Sequence, residues 1–247
     1  MDKKACLLLH GFGGSTFELK GLQSALEKAG FKTRLPLLPG HNTSLEDFSR
    51  SRYQDWYAEA EKNLLELKKD HQKIFVLGFS MGGSLTLDLA LKHSFTAMIL
   101  IAAPVFLTRI FPPLASDYRL FFVPVLKYLK PLYPTGNPHP QSRQIAPWQG
   151  YEGYTALKPL HSFLKNLKRI KKNLKQVKTP FLAIYAPTDK TVPLENAFYL
   201  LKKTSSPLKE LTLLQITENI TSNHLLPTHQ ETKAKVEKKV LDFFSSF

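Results

Sequence analysis

The chain has 247 residues, of which 43% are hydrophobic and 22% charged, with a net charge of +14 and one cysteine. That length and apolar content suit one medium domain carrying an insertion, large enough to bury a substantial core. No apolar run reaches transmembrane length, and a lone Cys6 excludes an internal disulfide.

In chain order the apolar patterning predicts a strand at 5–9, a helix at 17–29, a strand at 32–37, a helix at 56–69, a strand at 73–77, a helix at 83–93 and a strand at 97–101. After an interruption the alternation resumes with a helix at 157–176, a strand at 181–185, a helix at 193–203, a strand at 211–216 and a helix at 230–244. Such alternation predicts an α/β fold, with a mostly parallel sheet flanked by helices. Cys6 falls in the first strand and reads as a buried apolar filler. The apolar run at 6–9 is too short for a signal-peptide core and no small-residue cleavage site follows, so the sequence reads as cytoplasmic.

The interruption spans 104–152 and is rich in proline, aromatics and aliphatics, including Ile110-Phe111-Pro112-Pro113 and the run 120–126. It is too long for a plain connection. Following the strand at 97–101, it is expected to lie over the carboxyl edge of the sheet as a small cap. The cap should be partly helical, with an irregular Pro-rich tail at 131–147. The core then comprises 1–103 and 153–247.

Charge is unevenly placed. Residues 89–188 hold 14 Lys/Arg against Asp117 and Glu152 alone, 12 of the 14 net positive charges. The helix at 157–176 pairs an apolar stripe with a cationic face of Lys165, Lys168, Arg169, Lys171, Lys172 and Lys175. A solvated surface helix explains this face, and the window also allows weak contact with an anionic membrane surface. No nucleic-acid-binding motif accompanies it, so no nucleic-acid partner is expected.

Gly78-Phe79-Ser80-Met81-Gly82-Gly83 stands between the strand at 73–77 and a helix. A serine at G-x-S-x-G in that setting is a nucleophile-elbow pattern. The reversal is so sharp that Gly78 and Gly82 fit where larger residues would clash. A serine hydroxyl needs a base, usually a histidine oriented by a carboxylate, in the chain order Ser, Asp/Glu, His. Asp189 is the acid in the loop after the strand at 181–185, while Glu195 is explained by the start of a helix. After the last strand come His224 and His229. His224 lies in the loop and is favoured as the base, whereas His229 abuts the final helix. The oxyanion N–H donors are assigned to Met81, after the serine, and to Phe12 in the glycine-rich loop His10-Gly11-Phe12-Gly13-Gly14. That loop matches neither G-x-G-x-x-G nor the P-loop pattern, which disfavours nucleotide binding. His10 and His41 are expected to be structural.

H-G-F-G-G after the first strand, L-P-G-H after the second, G-F-S-M-G-G, D-K-T-V-P and a late histidine together resemble the α/β-hydrolase superfamily, and within it the small bacterial carboxylesterases and monoacylglycerol lipases. The resemblance covers nearly the whole chain and is weakest across the cap. It implies a sheet of about six or seven strands. It also implies hydrolysis of carboxylic esters bearing an acyl chain through an acyl-enzyme on Ser80, with Asp189 and His224 completing a triad and no metal or organic cofactor. The chain departs from the family in two respects. Asn223 stands where a glycine commonly precedes the histidine, a position where asparagine tolerates a left-handed backbone. The cap is also more cationic than an apolar ester requires. A thioesterase would use the same residues, and a non-catalytic protein binding a ligand or membrane is a further reading. The sequence sets no oligomeric state.

Overall fold

The computed structural model of the protein describes residues 4–109, 114–115 and 117–247. The run at 110–113 lies outside them. Six strands form the central sheet: β1 (Lys4–Leu9), β2 (Lys32–Arg34), β3 (Lys73–Phe79), β4 (Ala97–Ile101), β9 (Phe181–Tyr185) and β10 (Lys209–Leu213). Their spatial order is β10-β9-β4-β3-β1-β2, and every pair is parallel. The α/β expectation is borne out. A parallel sheet is covered on both faces, and β1 shows how the sequence provides for this. Ala5, Leu7 and Leu9 join one core cluster, and the alternate residues Cys6 and Leu8 join the other. Burial pushes the Cys6 thiol far up, so it stays protonated.

One face is covered by α3 (Tyr53–Asp70), α4 (Met81–Ala90), α7 (Leu157–Asn173) and α8 (Glu195–Lys203), and the other by α1 (Lys20–Lys28) and α9 (Lys233–Ser245). The edge strands differ most from expectation. β2 ends at Arg34 rather than at 37, because Pro36 has no N–H to donate to a ladder. β10 begins two residues earlier than expected, with Lys209 paired to Phe181. Leu214 and Ile216 are buried beyond its end. A short helix, α2 (Leu45–Arg50), was not anticipated. Its local signal is a Ser44 side chain accepting from the Asp47 N–H at 3.0 Å, which caps a helix that buries Phe48.

Between β4 and α7 lie two antiparallel two-residue strands, β5 (Thr108–Arg109) and β6 (Leu114–Ala115), then α5 (Val123–Leu129), β7 (Leu132–Gly136), α6 (Ser142–Ile145) and β8 (Gly153–Ala156). β7 pairs antiparallel with β8. The tail expected to be irregular therefore contains a strand whose partner lies about twenty residues on. Pro134 is tolerated there because the sheet has two strands and both are edges.

The apolar stripe of α7 is as read, but one of its cations is paired with a buried carboxylate rather than only solvated. Arg169 donates from Nη2 to Oδ2 of Asp88, which is fully buried on α4 and also accepts from the Tyr53 hydroxyl at 3.0 Å. Asp88 Oδ1 has no hydrogen-bond partner among the described residues. Removing the guanidinium would leave a buried carboxylate with one donor. Arg169→Met should therefore destabilise the fold by about 3 kcal/mol, the low end for breaking a buried pair, because Tyr53 remains and the arginine is half exposed. The checking measurement is the midpoint of urea unfolding.

Candidate active site

Ser80 stands at the carboxyl end of β3, an inner strand between β1 and β4. Its φ of 53° and ψ of −120° are those of a strained left-handed turn. The two elbow glycines are sterically required. A Cβ on Gly78 would lie 2.2 Å from the Gly82 carbonyl oxygen, and one on Gly82 would lie 1.9 Å from the Leu9 carbonyl oxygen. Gly83, not singled out from the sequence, is equally constrained, since its Cβ would meet that of Ala103 at 2.4 Å.

The structure brings Ser80, Asp189 and His224 together. His224 Nδ1 lies 2.7 Å from Asp189 Oδ2, and His224 Nε2 lies 2.9 Å from Ser80 Oγ. A carboxylate can only accept, so Nδ1 carries the ring proton and the Nε2 lone pair faces the serine hydroxyl. Asp189 Oδ1 accepts from the N–H groups of Thr191 and Val192 at 2.7 and 3.0 Å, which fixes its orientation. Asn223 has φ 58°, so the left-handed turn before the histidine is present.

The loop carrying His224 is organised on Glu218. Burial alone would raise this carboxyl, but hydrogen bonds from Thr221, His229 and the N–H groups of Thr221 and Ile220 outweigh it and hold the group at about 2. His229 is thus a fully buried donor to Glu218 and takes no place beside Ser80. Lys190, next to Asp189, donates from Nζ to the carbonyls of Asn219 and Thr221, which ties the loop of the acid to that of the histidine.

The loop after β1 is fixed by two buried titratable groups. His10 Nε2 accepts from the Leu38 N–H at 3.1 Å, so its proton sits on Nδ1, which donates to the Gly11 carbonyl at 3.0 Å. In a trans peptide the Phe12 N–H then projects from the opposite edge. The Phe12 ring is held edge-on to Phe48 and Trp56 and stacked on Phe163. Met81 is the first residue of α4, where an N–H has no intrahelical acceptor. Glu18 passes unnoticed in the sequence yet is fully enclosed here. Its Oε2 accepts from the Gly11 N–H at 2.9 Å and its Oε1 from the Trp148 indole at 2.6 Å. Burial pushes its carboxyl up to about 7 against the pull of both donors and of His224.

A cavity of about 490 Å³ opens onto Ser80 and His224. Phe12, Leu107, Leu120, Leu160, Phe163 and Val192 give it apolar walls. No cluster of three or more His, Cys, Asp or Glu among the described residues could hold a metal ion. No helix among them is long and apolar enough to cross a membrane.

A family model described as serine aminopeptidase, S33 (Hydrolase_4), matches residues 2–215. The chain belongs to this family. The match bears out the resemblance drawn from the motifs. A thermostable monoacylglycerol lipase of Bacillus sp. (strain H-257) is 47% identical over 87 residues, 35% of this chain and 35% of that one. A carboxylesterase of Bacillus subtilis (strain 168) is 29% identical over 102 residues, 41% of this chain and 42% of that one. The chain thus spans about two fifths or less of the length of these curated relatives. A solved structure of the metagenome-derived lipolytic enzymes LipS and LipT superposes with a TM-score of 0.85 at 22% identity, covering 100% of this chain and 95% of that one. This likeness shows the fold, and the α/β-hydrolase expectation holds.

Two histidines in this family member give its stability a pH dependence. Burial lowers His10 from 6.5 to about 4; burial and the neighbouring His10 lower His41 from 6.5 to about 3. Below pH 6.5 the unfolded chain takes up protons that the folded chain refuses, so stability is intact above that value and falls toward pH 4. Glu18 acts with the opposite sign, since the folded chain holds its proton between 4.5 and about 7. His41→Phe should flatten the fall in Tm between pH 6.5 and 4 relative to the parent, as read by thermal unfolding across that range.

Proposed function

We propose that the protein is a carboxylic ester hydrolase, a carboxylesterase or monoacylglycerol lipase, acting through an acyl-enzyme on Ser80. The observation that carries this reading is the unbroken hydrogen-bond chain from Ser80 Oγ through His224 to Asp189. In the reaction His224 Nε2 takes the serine proton as Oγ attacks the ester carbonyl carbon, and Asp189 stabilises the resulting imidazolium. The N–H groups of Phe12 and Met81 receive the oxyanion. As the tetrahedral intermediate collapses, the C–O bond to the alcohol breaks and His224 returns its proton to the leaving oxygen. Water then repeats the sequence on the acyl-enzyme and releases the acid. Residues 104–152 act as a cap over this centre, a role supported by Leu107, Leu120 and Trp148 in the cavity wall. The apolar lining suits an acyl chain, and the names of the two Bacillus relatives agree with an ester substrate.

Ser80→Ala should reduce kcat on p-nitrophenyl esters by about 10⁶-fold, to background, with an unchanged unfolding midpoint. A series from acetyl to palmitoyl esters, run on both proteins, checks this. Turnover surviving in the variant would overturn the assignment of Ser80.

The cap also supports contact with an anionic lipid surface. Tyr118, Phe122, Val125, Tyr128 and Leu129 are strongly exposed, and Arg119, Lys127 and Lys130 lie among them in sequence. Apolar side chains beside cations suit the boundary between acyl chains and anionic headgroups. V125D/L129D should sediment several-fold less with phosphatidylglycerol vesicles at low salt while hydrolysing a soluble acetyl ester at the parent rate. Equal sedimentation of both proteins would exclude this face.

A further inference from the structure

Glu18 is a buried carboxylate for which the reaction above has no use, placed where a negative charge opposes a developing oxyanion. Its surroundings explain why it is there. The carboxylate fills the inside of the loop after β1. A Cβ on Gly14 would stand 1.9 Å from Oε1, so a side chain at that position would displace this carboxylate. One oxygen holds the Gly11 N–H and the other the Trp148 indole N–H, which lies 130 residues away beyond α6. The segment bearing Trp148 is fastened to the same loop by backbone as well. The Tyr151 N–H donates to the Gly13 carbonyl at 3.0 Å, and a Cβ on Gly150 would lie 2.3 Å from that carbonyl oxygen. The Tyr151 hydroxyl reaches the Gly40 carbonyl at 2.7 Å, and the Arg143 guanidinium stacks over the Trp148 ring at 4.8 Å.

The consequence falls on one peptide group. His10 holds the Gly11 carbonyl and Glu18 holds the Gly11 N–H, so both ends of this residue are fixed and the Phe12 N–H has one direction open to it. We propose that Glu18 and Trp148 form a positioning pair, through which the arm after α6 sets the Phe12 N–H for the oxyanion. The proposal rests on the ester-hydrolase reading, with Phe12 as a donor. Glu18 touches no reacting atom and acts through Gly11. Only the ionised carboxylate accepts from both donors without constraint. Its elevation to about 7 therefore places the loss of this arrangement within the acid limb of activity. The charged and titratable groups near it are His224, with Asp117, Arg143 and Lys190 on the walls of the shared cavity, and His10 on the other side of Gly11.

The test compares the parent with E18Q, W148F and the double variant on a soluble acetyl ester, together with fluorophosphonate labelling of Ser80. W148F removes the donor while keeping an aromatic ring in its place, so it carries the test if E18Q fails to fold. Each single variant should lower kcat by about tenfold, a part of the ~10²–10³ that losing an oxyanion donor costs, with KM within about twofold. The double variant should be no slower than E18Q, because both changes break one path. The acid limb should move to higher pH in W148F, where the carboxylate loses a donor. It should move to lower pH in E18Q, where nothing titrates at this position. A kcat within twofold of the parent in W148F, independent losses that multiply, or an acid limb unmoved in both variants would overturn the pairing alone. A parent without turnover and without labelling at Ser80 would overturn the ester-hydrolase reading and the pairing with it.

Discussion

Between the Leu9 carbonyl and Gly82 there is no room for a methyl group, and the position of Ser80 follows from that contact. The start of α4 is pressed against the end of β1, and Gly78 lets the chain reverse under Gly82. Ser80 is left in a left-handed conformation at the tip of the turn, next to Met81 at the start of α4, where a first-position N–H has no intrahelical acceptor. The strain is held by the fully buried strands on either side. β3 pairs with β1 and β4 over nearly its whole length, so the turn cannot relax without breaking the middle of the sheet.

The other groups of the site reach Ser80 from loops, and each loop is tied to another element rather than rigid in itself. The acid and histidine loops are joined by Lys190 and by a hydrogen bond from Asn223 to Thr188. The loop after β1 is joined through His10 to Leu38 and through Glu18 to Trp148. Buried polar groups that are fully satisfied define one arrangement, because any displacement leaves a donor or acceptor without a partner in a medium of low dielectric. The two histidines are kept neutral by the same burial that makes them rigid.

The positive charge of the chain has two structural destinations. Lys165, Lys168 and Lys172 face solvent along α7, and Lys175 does so in the turn that follows it, as the helical period suggests. Arg169 shares that face by count but reaches inward to Asp88. Arg119, Lys127 and Lys130 lie in sequence beside the exposed Tyr118, Phe122, Tyr128 and Leu129, and the structure shows that these apolar side chains face solvent.

By itself the sequence determined what rests on short-range spacing. The alternation of strands and helices, the elbow around Ser80, and the order of Ser80, Asp189 and His224 are all written within a few residues of each position. So is the left-handed residue before the histidine, since asparagine pays little for that backbone at Asn223. Tertiary structure alone decided the features that join distant segments: the β7–β8 hairpin inside a proline-rich stretch, the pairing of Arg169 with the buried Asp88, and the meeting of Glu18 with Trp148. The reason is physical. A period of two or of 3.6 residues reports which face of an element is buried, whereas the partner of a buried polar side chain is set by the packing of elements far apart in the chain.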